Sequence, residues 1–363
     1  MKDIIVFGTG AYFQHKKNQI EKNYHIKYFL DNKVTPGSSM FYENTAIKIL
    51  NPMDQNIDEK TPVLLMSVHF ISMWKQLIHM GIKPERIVFP YMEKPYFEND
   101  AELCNMVEKI EFEKEYFICK KKNGENVEIT DEKTWRDFLR EVYRDYYPLI
   151  QAVAKMDTEP VSRQFGTERG TPIDRYYIEK FLHEHEAYIY GDVLEIEDNS
   201  YTKQFGRDRV HRSIIMDVNS RDSRVTFNGN LETGEGIQEE IADCVILTQT
   251  LMYIFDLKNA AHQIGRLLKK GGTALITCSG ISQNSRRCME DYGCYFNFNV
   301  ASLVRMFETE HELEVIESGS SGNAKTVTAH ISGVCCEDLK QEDFMFEDKC
   351  YPLIVYAVVK KNE

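Results

Sequence analysis

The sequence predicts an α/β protein with two Rossmann-like units, a smaller one followed by a larger one. Short apolar runs alternate with amphipathic helical segments along most of the chain, a rhythm typical of doubly wound parallel sheets. In each unit one run leads into polar or glycine-rich residues, and an acid ends a following run about 20 residues later. Sheets of this type bind ligands outside the carboxyl ends of their strands, so both turns are candidate sites.

The larger unit is organised around residues 188–206, YIYGDVLEIEDNSYTKQFG. Its run at 193–196 predicts a strand buried on both faces, and Asn199 and Ser200 then favour a turn or a helix cap. Asp217 ends the next apolar run, at the usual position of an acid that holds ribose hydroxyls. The alternative interpretation is a core strand followed by an ordinary loop.

The remaining elements of the larger unit follow from the same periodicities. We predict strands at 225–231, 244–247, 273–277, 313–317 and 353–359, and helices at 173–185, 257–268, 299–308 and 326–334. The helix at 257–268 is expected to stop at the sequence KKGG that follows, because cations suit a helix C-terminus and glycines end it.

The smaller unit is predicted to contain strands at 2–7, 26–30, 62–68 and 86–90, and a helix at 71–80. Gly8 and Gly10 begin a turn like those that bind dinucleotides, and Asp31 stands at the position of the ribose-binding acid. Phe13 occupies the place of the third glycine, where its ring would crowd a pyrophosphate. We therefore predict that residues 1–97 bind no dinucleotide; the alternative to a binding role is packing or partner contact.

Residues 98–158 are predicted to form a connector with structure of its own. Apolar runs at 116–119 and 127–130 flank an Asn-Gly pair, which is a strong hairpin signal. Thr130 or Asp131 is expected to cap the helix that follows, whose apolar residues share one face. The predicted domains are 1–97, 98–158 and 159–363.

Composition and charge exclude several function classes. The 363-residue chain has a net charge of −13, which argues against nucleic acid or an anionic membrane as the main partner. The first apolar run is too short for a secretory signal, and no stretch approaches the length of a membrane span. Nine cysteines in a chain of this length suggest reduced thiols, so we expect a cytoplasmic protein. His183 and His185 are poorly spaced for one metal, and we predict no metal site; the sequence does not indicate the oligomeric state.

Residues 160–360 resemble the class I S-adenosylmethionine-dependent methyltransferase domains, in particular the bacterial type often encoded beside glycosyltransferases. The pieces that carry the resemblance are FG at 165–166, RGTPIDRYYIE at 169–179, VLEI at 193–196, SYT at 200–202, TQTL at 248–251, LKKGG at 268–272 and GISQ at 280–283. Residues 1–97 resemble the Rossmann-like N-terminal domains of sugar-modifying and capsule-locus proteins.

The resemblance implies a seven-stranded Rossmann-like methyltransferase sheet whose last strand lies antiparallel between its neighbours. It implies S-adenosylmethionine as cofactor, with Glu195 and Asp217 fixing the amino-acid and ribose portions and Asn230 accepting from the adenine amine. Tyr201, Thr248 and Gln249 would line the pocket; strand-end hydrogen bonding is the alternative role of Thr248 and Gln249.

Glu197 stands where the family has a glycine that lets the backbone approach the cofactor. Its side chain would either occupy space that the cofactor needs, or else point to solvent or bind the cofactor's ammonium group. The Glu197→Gly change separates these two possibilities.

The acceptor is expected to be a sugar or glycan hydroxyl, or a related small molecule of polysaccharide or glycoconjugate biosynthesis. We place its site in the loop at 279–299, where Glu290 and Asp291 could take a proton and Tyr292 could stack on a sugar face. The alternative is that the aromatic residues of this loop only pack it onto the sheet.

The same loop departs from the family pattern. Cys288 and Cys294 stand where the family has acids, and Phe296-Asn297 where it has Trp-Arg. Two function classes therefore remain open: a small-molecule methyltransferase, or a non-catalytic binding or scaffold protein with a methyltransferase-like fold. We favour the enzyme because Glu195, Asp217 and Gln249 are present.

Overall fold

The computed structural model describes residues 2–43, 45–54, 58, 60–67, 69–88, 107–113 and 115–363. The chain divides into two compact units, Met1–Met156 and Asp157–Glu363. The hairpin and helix of the predicted connector fall within the first unit, whereas the predicted boundary at 97/98 and parts of the strands predicted at 62–68 and 86–90 lie outside the described residues. The predicted domain limits therefore stay a prediction.

The first unit contains a six-stranded sheet of order β3-β4-β2-β1-β5-β6. Its strands are β1 Lys2–Phe7, β2 Tyr24–Leu30, β3 Ser39–Phe41, β4 Lys48–Leu50, β5 Val63–Leu65 and β6 Ile87–Val88. Each strand is parallel to its neighbours except β3, which pairs antiparallel with β4. The helices α1 Ala11–Asn23 and α2 Phe70–His79 connect them, so the smaller Rossmann-like sheet is present.

A three-stranded antiparallel sheet and two helices complete the first unit. They are β7 Val107–Phe112, β8 Phe117–Lys121, β9 Asn126–Ile129, α3 Glu132–Tyr146 and α4 Pro148–Lys155. The predicted hairpin is formed by β8 and β9, and β7 adds a strand that the sequence did not predict. Asp131 caps α3 by accepting from the backbone N–H groups of Lys133 and Thr134.

The predicted position of Phe13 was wrong. Phe13 belongs to α1, and its ring is fully buried, with its centroid 5.0 Å from that of Phe29. It does not line the cavity that Gly8, Gly10 and Asp31 share at the turn. Gly8 makes the close approach instead: its φ is +109°, and a Cβ atom there would lie 2.6 Å from the Met66 carbonyl oxygen. The carboxylate of Asp31, the acid expected to hold a ribose, instead accepts from the Thr9 hydroxyl at 2.6 Å. Absence of dinucleotide binding by residues 1–97 therefore remains a prediction, and this hydrogen bond replaces the Phe13 ring as its reason.

The second unit is a seven-stranded sheet of order β12-β11-β10-β13-β14-β16-β15. The strands are β10 Gly191–Ile196, β11 Val210–Asp217, β12 Phe227–Asn228, β13 Ala242–Thr248, β14 Leu268–Ser279, β15 Leu313–Ser321 and β16 Ile354–Lys361. The strand β16 pairs antiparallel with both β14 and β15, as the resemblance implies, and the other pairs are parallel.

Helices cover both faces of this sheet. They are α5 Ile173–Glu184, α6 Leu257–Leu267, α7 Arg286–Asp291, α8 Val300–Phe307 and α9 Ala324–Ile331. One apolar core joins α6 and α8 to one face, and a second joins α5 and α9 to the other. Capping boxes begin α8 at Asn299 and α9 at Asn323, which explains their start points.

Two local predictions in the second unit were inexact. The strand predicted at 225–231 is only two residues long, because the chain turns at Gly229 and Asn230. The KKGG segment continues directly into β14, and Lys269 binds the carboxylates of Asp192 and Asp243, at 2.9 and 2.8 Å, instead of helix carbonyls. Helix α6 still ends within one residue of the predicted position.

Candidate functional site

A cavity of about 250 Å³ opens at the carboxyl ends of β10, β11 and β12, and we call it the acidic cavity. Among the side chains that the structure describes, its walls carry three carboxylates, those of Glu197, Asp217 and Glu232, and no lysine, arginine or histidine. The other lining residues are Ile196, Met216, Val218, Gly229, Asn230, Leu231, Thr250, Tyr253, Ile254 and Tyr292. Apolar walls with several acids suit a ligand that has a flat apolar part and carries positive charge.

Asp217 and Asn230, both predicted cofactor ligands, line the acidic cavity. Asp217 ends β11, and its Oδ1 accepts from the backbone N–H of Asn219 at 3.0 Å. A carboxylate can accept several hydrogen bonds, so this bond leaves capacity for ligand hydroxyls. The side-chain oxygen of Asn230 accepts from the N–H groups of Glu232 and Thr233, at 2.7 and 3.1 Å, and so also forms the turn after β12.

Glu197 follows β10 with φ +66°, in the left-handed region where glycine is favoured. Its side chain is exposed and lines the acidic cavity, and its N–H donates to the Met216 carbonyl at 3.0 Å. The backbone therefore keeps the conformation of a glycine position while the side chain adds a carboxylate at the mouth of the site.

Glu195 does not line the acidic cavity; it lies beneath the loop that follows β10. It is 4% exposed, and its carboxylate accepts from the N–H groups of Tyr201 and Thr202, at 3.1 and 2.8 Å, and from the Thr202 hydroxyl at 2.7 Å. Burial raises the pKa of this carboxyl, whereas the bonds from Thr202 oppose the rise. The structure thus gives Glu195 the role of holding the loop at 197–200 in place.

The other predicted cofactor ligands lie away from the acidic cavity. Tyr201 is half-buried, with its ring 6.2 Å from that of Phe205, and burial raises the pKa of its hydroxyl to about 12. Thr248 ends β13, and its carbonyl accepts from the Thr250 hydroxyl at 3.0 Å. Gln249 lines a different cavity.

This second cavity, which we call the polar cavity, has a volume of about 180 Å³. Its lining comes from the residue after β13, the loop after β14 and the region before and within α5. The members are Phe165, Asp174, Gln249, Met252, Tyr253, Ser279, Ser282, Gln283, Ser285, Cys288, Cys294 and Asn297. Several of these belong to the loop at 279–299 that the sequence assigned to the acceptor.

The three predicted catalytic residues are divided by the structure. Tyr292 lines the acidic cavity, whereas Glu290 and Asp291 are exposed at the end of α7 and line neither cavity. The aromatic residues Tyr295 and Phe296 pack near Phe255, with ring centroids 5.3 and 6.1 Å from it. Of the three, the structure therefore brings Tyr292 to the acidic cavity.

Tyr253 is a site residue that the sequence did not reveal. It lies in the short helical turn Leu251–Tyr253 after β13 and lines both cavities, so its side chain forms part of the wall between them. Burial, reinforced by a hydrogen bond with Cys288, raises the pKa of its hydroxyl well above the ordinary value. Its place just after the matched segment TQTL was the available signal.

The described residues form neither a metal site nor a membrane-spanning helix. Among the described residues, no group of three or more His, Cys, Asp and Glu side chains is arranged to hold a metal ion. Within the same part of the chain, no helix is both long and apolar enough to cross a membrane.

The sheet order and the single antiparallel strand define the second unit as a Rossmann-like methyltransferase fold. Solved structures similar to the chain include the N-methyltransferase NodS from Bradyrhizobium japonicum in complex with S-adenosyl-l-homocysteine. The two sequences are 12% identical, the TM-score is 0.35, and the match covers 54% of this chain and 90% of NodS. A second is an S-adenosylmethionine-dependent methyltransferase from Mesorhizobium loti: 10% identity, TM-score 0.35, covering 52% of this chain and 98% of that one. No model of a known family and no curated protein matches the sequence.

Replacing Glu197 by glycine is expected to have opposite effects on stability and on cofactor affinity. The free energy of unfolding should stay unchanged or rise by up to about 1 kcal/mol, because glycine adopts positive φ without strain. The affinity for S-adenosylmethionine, the cofactor that the resemblance implies, should fall only roughly two- to fivefold, because the lost carboxylate is exposed. The affinity for S-adenosylhomocysteine should fall by less, because its sulfur carries no charge.

Glu240→Gly is the matched control for this change. Glu240 also has positive φ, +52°, but does not line the acidic cavity. Calorimetry on both variants checks the expectation. Tighter binding by Glu197→Gly would mean that this side chain obstructs the cofactor.

Proposed function

We propose that the protein is an S-adenosylmethionine-dependent methyltransferase that acts on a hydroxyl of a sugar, a glycan or a related small molecule. The observation that carries the proposal is the charge of the acidic cavity: the described side chains that line this pocket, at the carboxyl ends of β10, β11 and β12, include three carboxylates and no cation. S-adenosylmethionine carries a sulfonium and an ammonium group, which such a lining attracts. The phosphates of a dinucleotide would be repelled by the same lining.

The residues present fit this cofactor. Asp217 would accept from the ribose hydroxyls, Leu231 and Ile254 would contact the adenine, and Glu197 would face the cationic portion. When bound, the cofactor supplies an electrophilic methyl group, and the protein's part is to hold an acceptor oxygen in line with it and to remove a proton. Tyr253, shared by the two cavities, supports placing the methyl group near that side chain.

The polar cavity supports the acceptor class. It is lined by serine hydroxyls and by side-chain amides, groups that recognise hydroxyl-rich ligands by hydrogen bonds. A role in polysaccharide or glycoconjugate biosynthesis is part of the proposal and rests on the sequence resemblance. A non-catalytic binding protein is the second candidate, favoured by Asn297 lining this cavity where the family has arginine.

Titration calorimetry on the full chain tests the proposal. We expect one site for S-adenosylmethionine and one for S-adenosylhomocysteine, competing with each other, and no heat with NADH or ATP. Absence of heat with either adenosyl ligand in folded protein would refute the proposed function. Cofactor binding without transfer to any hydroxylated acceptor would favour the non-catalytic candidate.

A further inference from the structure

Ser282 and His330 form a buried pair beside the polar cavity. The Nε2 atom of His330 lies 2.9 Å from the Oγ of Ser282, and Ser282 lines the cavity. His330 belongs to α9 and is 1% exposed, with its ring centroid 5.4 Å from that of Phe165. The imidazole therefore reaches the cavity through the serine hydroxyl.

The hydrogen bonding of this histidine differs from that of a purely structural one. Its Nδ1 is buried and, within the described part of the chain, has no hydrogen-bond partner. Leaving a buried polar nitrogen unpaired costs roughly 1–3 kcal/mol, so such groups are rare in folded proteins and call for an explanation. Among the described residues, the polar contact of the ring is the one directed to Ser282.

The proton of Ser282 has two possible acceptors, Nε2 of His330 at 2.9 Å and the Gln283 carbonyl at 3.2 Å. When the hydroxyl donates to Nε2, its own lone pairs are available to a group in the cavity. Burial lowers the pKa of His330, while the charge of Asp174 acts in the opposite direction. In its neutral form the ring can accept a proton at Nε2, the nitrogen that faces Ser282.

Two glutamine amides supply donors in the same cavity. The Nε2 atoms of Gln249 and Gln283 are both buried and lack partners among the described residues. The Oε1 of Gln249 accepts from the Ser279 hydroxyl at 2.8 Å, which fixes that amide. The cavity is therefore complementary to a small ligand that presents oxygen acceptors. Its volume of about 180 Å³ is below the ~300–1,000 Å³ of pockets that hold a whole ligand, so it suits one end of a larger molecule.

We propose that the polar cavity binds one sugar-sized, hydroxyl-bearing end of the methyl acceptor, with Gln249 and Gln283 as donors and the Ser282–His330 pair as proton acceptor. The proton-transfer part rests on the proposed function above. Glu290 and Asp291, exposed at the end of α7, take no part in it.

The proposed step transfers the methyl group to the acceptor oxygen and one proton to the Ser282–His330 pair. The acceptor oxygen forms a bond to the methyl carbon while the carbon–sulfur bond breaks and leaves its electron pair on sulfur. The acceptor's hydroxyl proton passes to Oγ of Ser282 as the serine proton passes to Nε2 of His330. The charge of Asp174 stabilises the resulting imidazolium. Because His330 is buried, its proton then returns through the Ser282 hydroxyl to solvent that enters the polar cavity after the product leaves.

Binding of sugar probes to the full chain without cofactor tests the cavity separately from the proposed function. The probes are methyl α-glucopyranoside, methyl α-galactopyranoside, methyl α-rhamnopyranoside and N-acetylglucosamine, followed by saturation-transfer NMR. We expect at least one to bind and Gln283→Leu to weaken that binding roughly tenfold, as for a lost buried hydrogen bond. Gln341→Leu, a glutamine outside the cavity that donates to the Tyr176 hydroxyl, is the control and should bind as wild type.

Transfer of a labelled methyl group from S-adenosylmethionine to the bound probe tests the proton acceptor. Ser282→Ala should lower kcat roughly 10²- to 10⁴-fold with little change in the KM of the probe, as expected for a lost general base. Ser282→Thr, which keeps a hydroxyl, should recover most of the activity, and His330→Gln should behave like Ser282→Ala. Ser332→Ala, whose hydroxyl donates to the Thr328 carbonyl outside the cavity, should be unaffected.

The outcomes are distinguishable. No binding of any probe by the wild type would overturn the cavity as the acceptor site. Failure to bind S-adenosylhomocysteine would instead overturn the proposed function, and the proton-transfer step with it, while leaving sugar binding in the polar cavity intact. Bound probes that the wild type does not methylate, or a wild-type rate for Ser282→Ala, would overturn the Ser282–His330 assignment. Because Ser282 is only partly buried, its variants keep the test valid even if His330→Gln does not fold.

Discussion

Asp217→Ala is expected to lower the affinity for S-adenosylmethionine and S-adenosylhomocysteine alike, by roughly 5- to 150-fold, or about 1–3 kcal/mol. Asp217 ends β11 at the wall of the acidic cavity, and the lost interaction is a charged hydrogen bond to ribose hydroxyls. Both ligands carry the same ribose, so the loss should not distinguish them. This equality separates Asp217 from Glu197, whose effect depends on the sulfonium charge.

Calorimetry on two companion variants completes this prediction. Asp217→Asn keeps an oxygen for the N–H of Asn219 but loses the charge, so its affinity should lie between those of wild type and Asp217→Ala. Asp208→Ala changes an exposed acid that lines neither cavity and should bind as wild type. Wild-type affinity in Asp217→Ala would place the ribose elsewhere.

Glu195→Ala is expected to lower the free energy of unfolding of the second unit by roughly 2–4 kcal/mol. The change leaves the N–H groups of Tyr201 and Thr202 and the Thr202 hydroxyl without their acceptor. Since these bonds hold the loop at 197–200, cofactor affinity should fall as well. Thr202→Val removes one of the three bonds and should cost only about 1 kcal/mol.

The two tryptophans allow this loss to be assigned to one unit. Trp74 and Trp135 both lie in the first unit, so their fluorescence reports its unfolding, whereas far-UV circular dichroism reports both units. In urea, Glu195→Ala should shift the transition seen by circular dichroism and leave the fluorescence transition unchanged. Equal stability of wild type and variant would contradict the role given to Glu195.

The raised pKa of Glu195 gives this prediction a pH dependence. Because the folded carboxyl holds its proton to higher pH than the unfolded one, its stabilising contribution is complete below the unfolded pKa. That contribution is lost as the pH rises through the folded value. The stability of wild type relative to Glu195→Gln should therefore decrease from acid to neutral pH.

Much of the fold follows from patterns within short segments. Apolar runs located most of the strands, although not β3, β4 and β7, and Thr130 or Asp131 was the predicted cap of α3, because burial and capping depend on neighbouring residues. Errors arose where a distant residue decides. Phe13 stands at a glycine position of the dinucleotide turn, but packing against Phe29 directs its ring into the core.

The candidate site was predictable only in part, for a related reason. Asp217, Glu197 and Asn230 come to the acidic cavity because they follow parallel strands whose carboxyl ends meet at one sheet edge. Glu195 is the last but one residue of β10, yet its side chain accepts from Thr202 and stays buried. Strand position predicts which edge a residue reaches; it does not predict which hydrogen bonds its side chain makes.

The sequence by itself determined two α/β units and acids at the ends of neighbouring strands, since these follow from local periodicity and from residue types at strand ends. The antiparallel last strand was implied only by the methyltransferase resemblance. Only the tertiary structure decided the polar cavity. Gln249, Ser282 and His330 lie on separate elements of the second unit and share no motif. They come together because the loop after β14 and helix α9 pack beside the end of β13, and contacts between such distant segments depend on the packing of the whole unit.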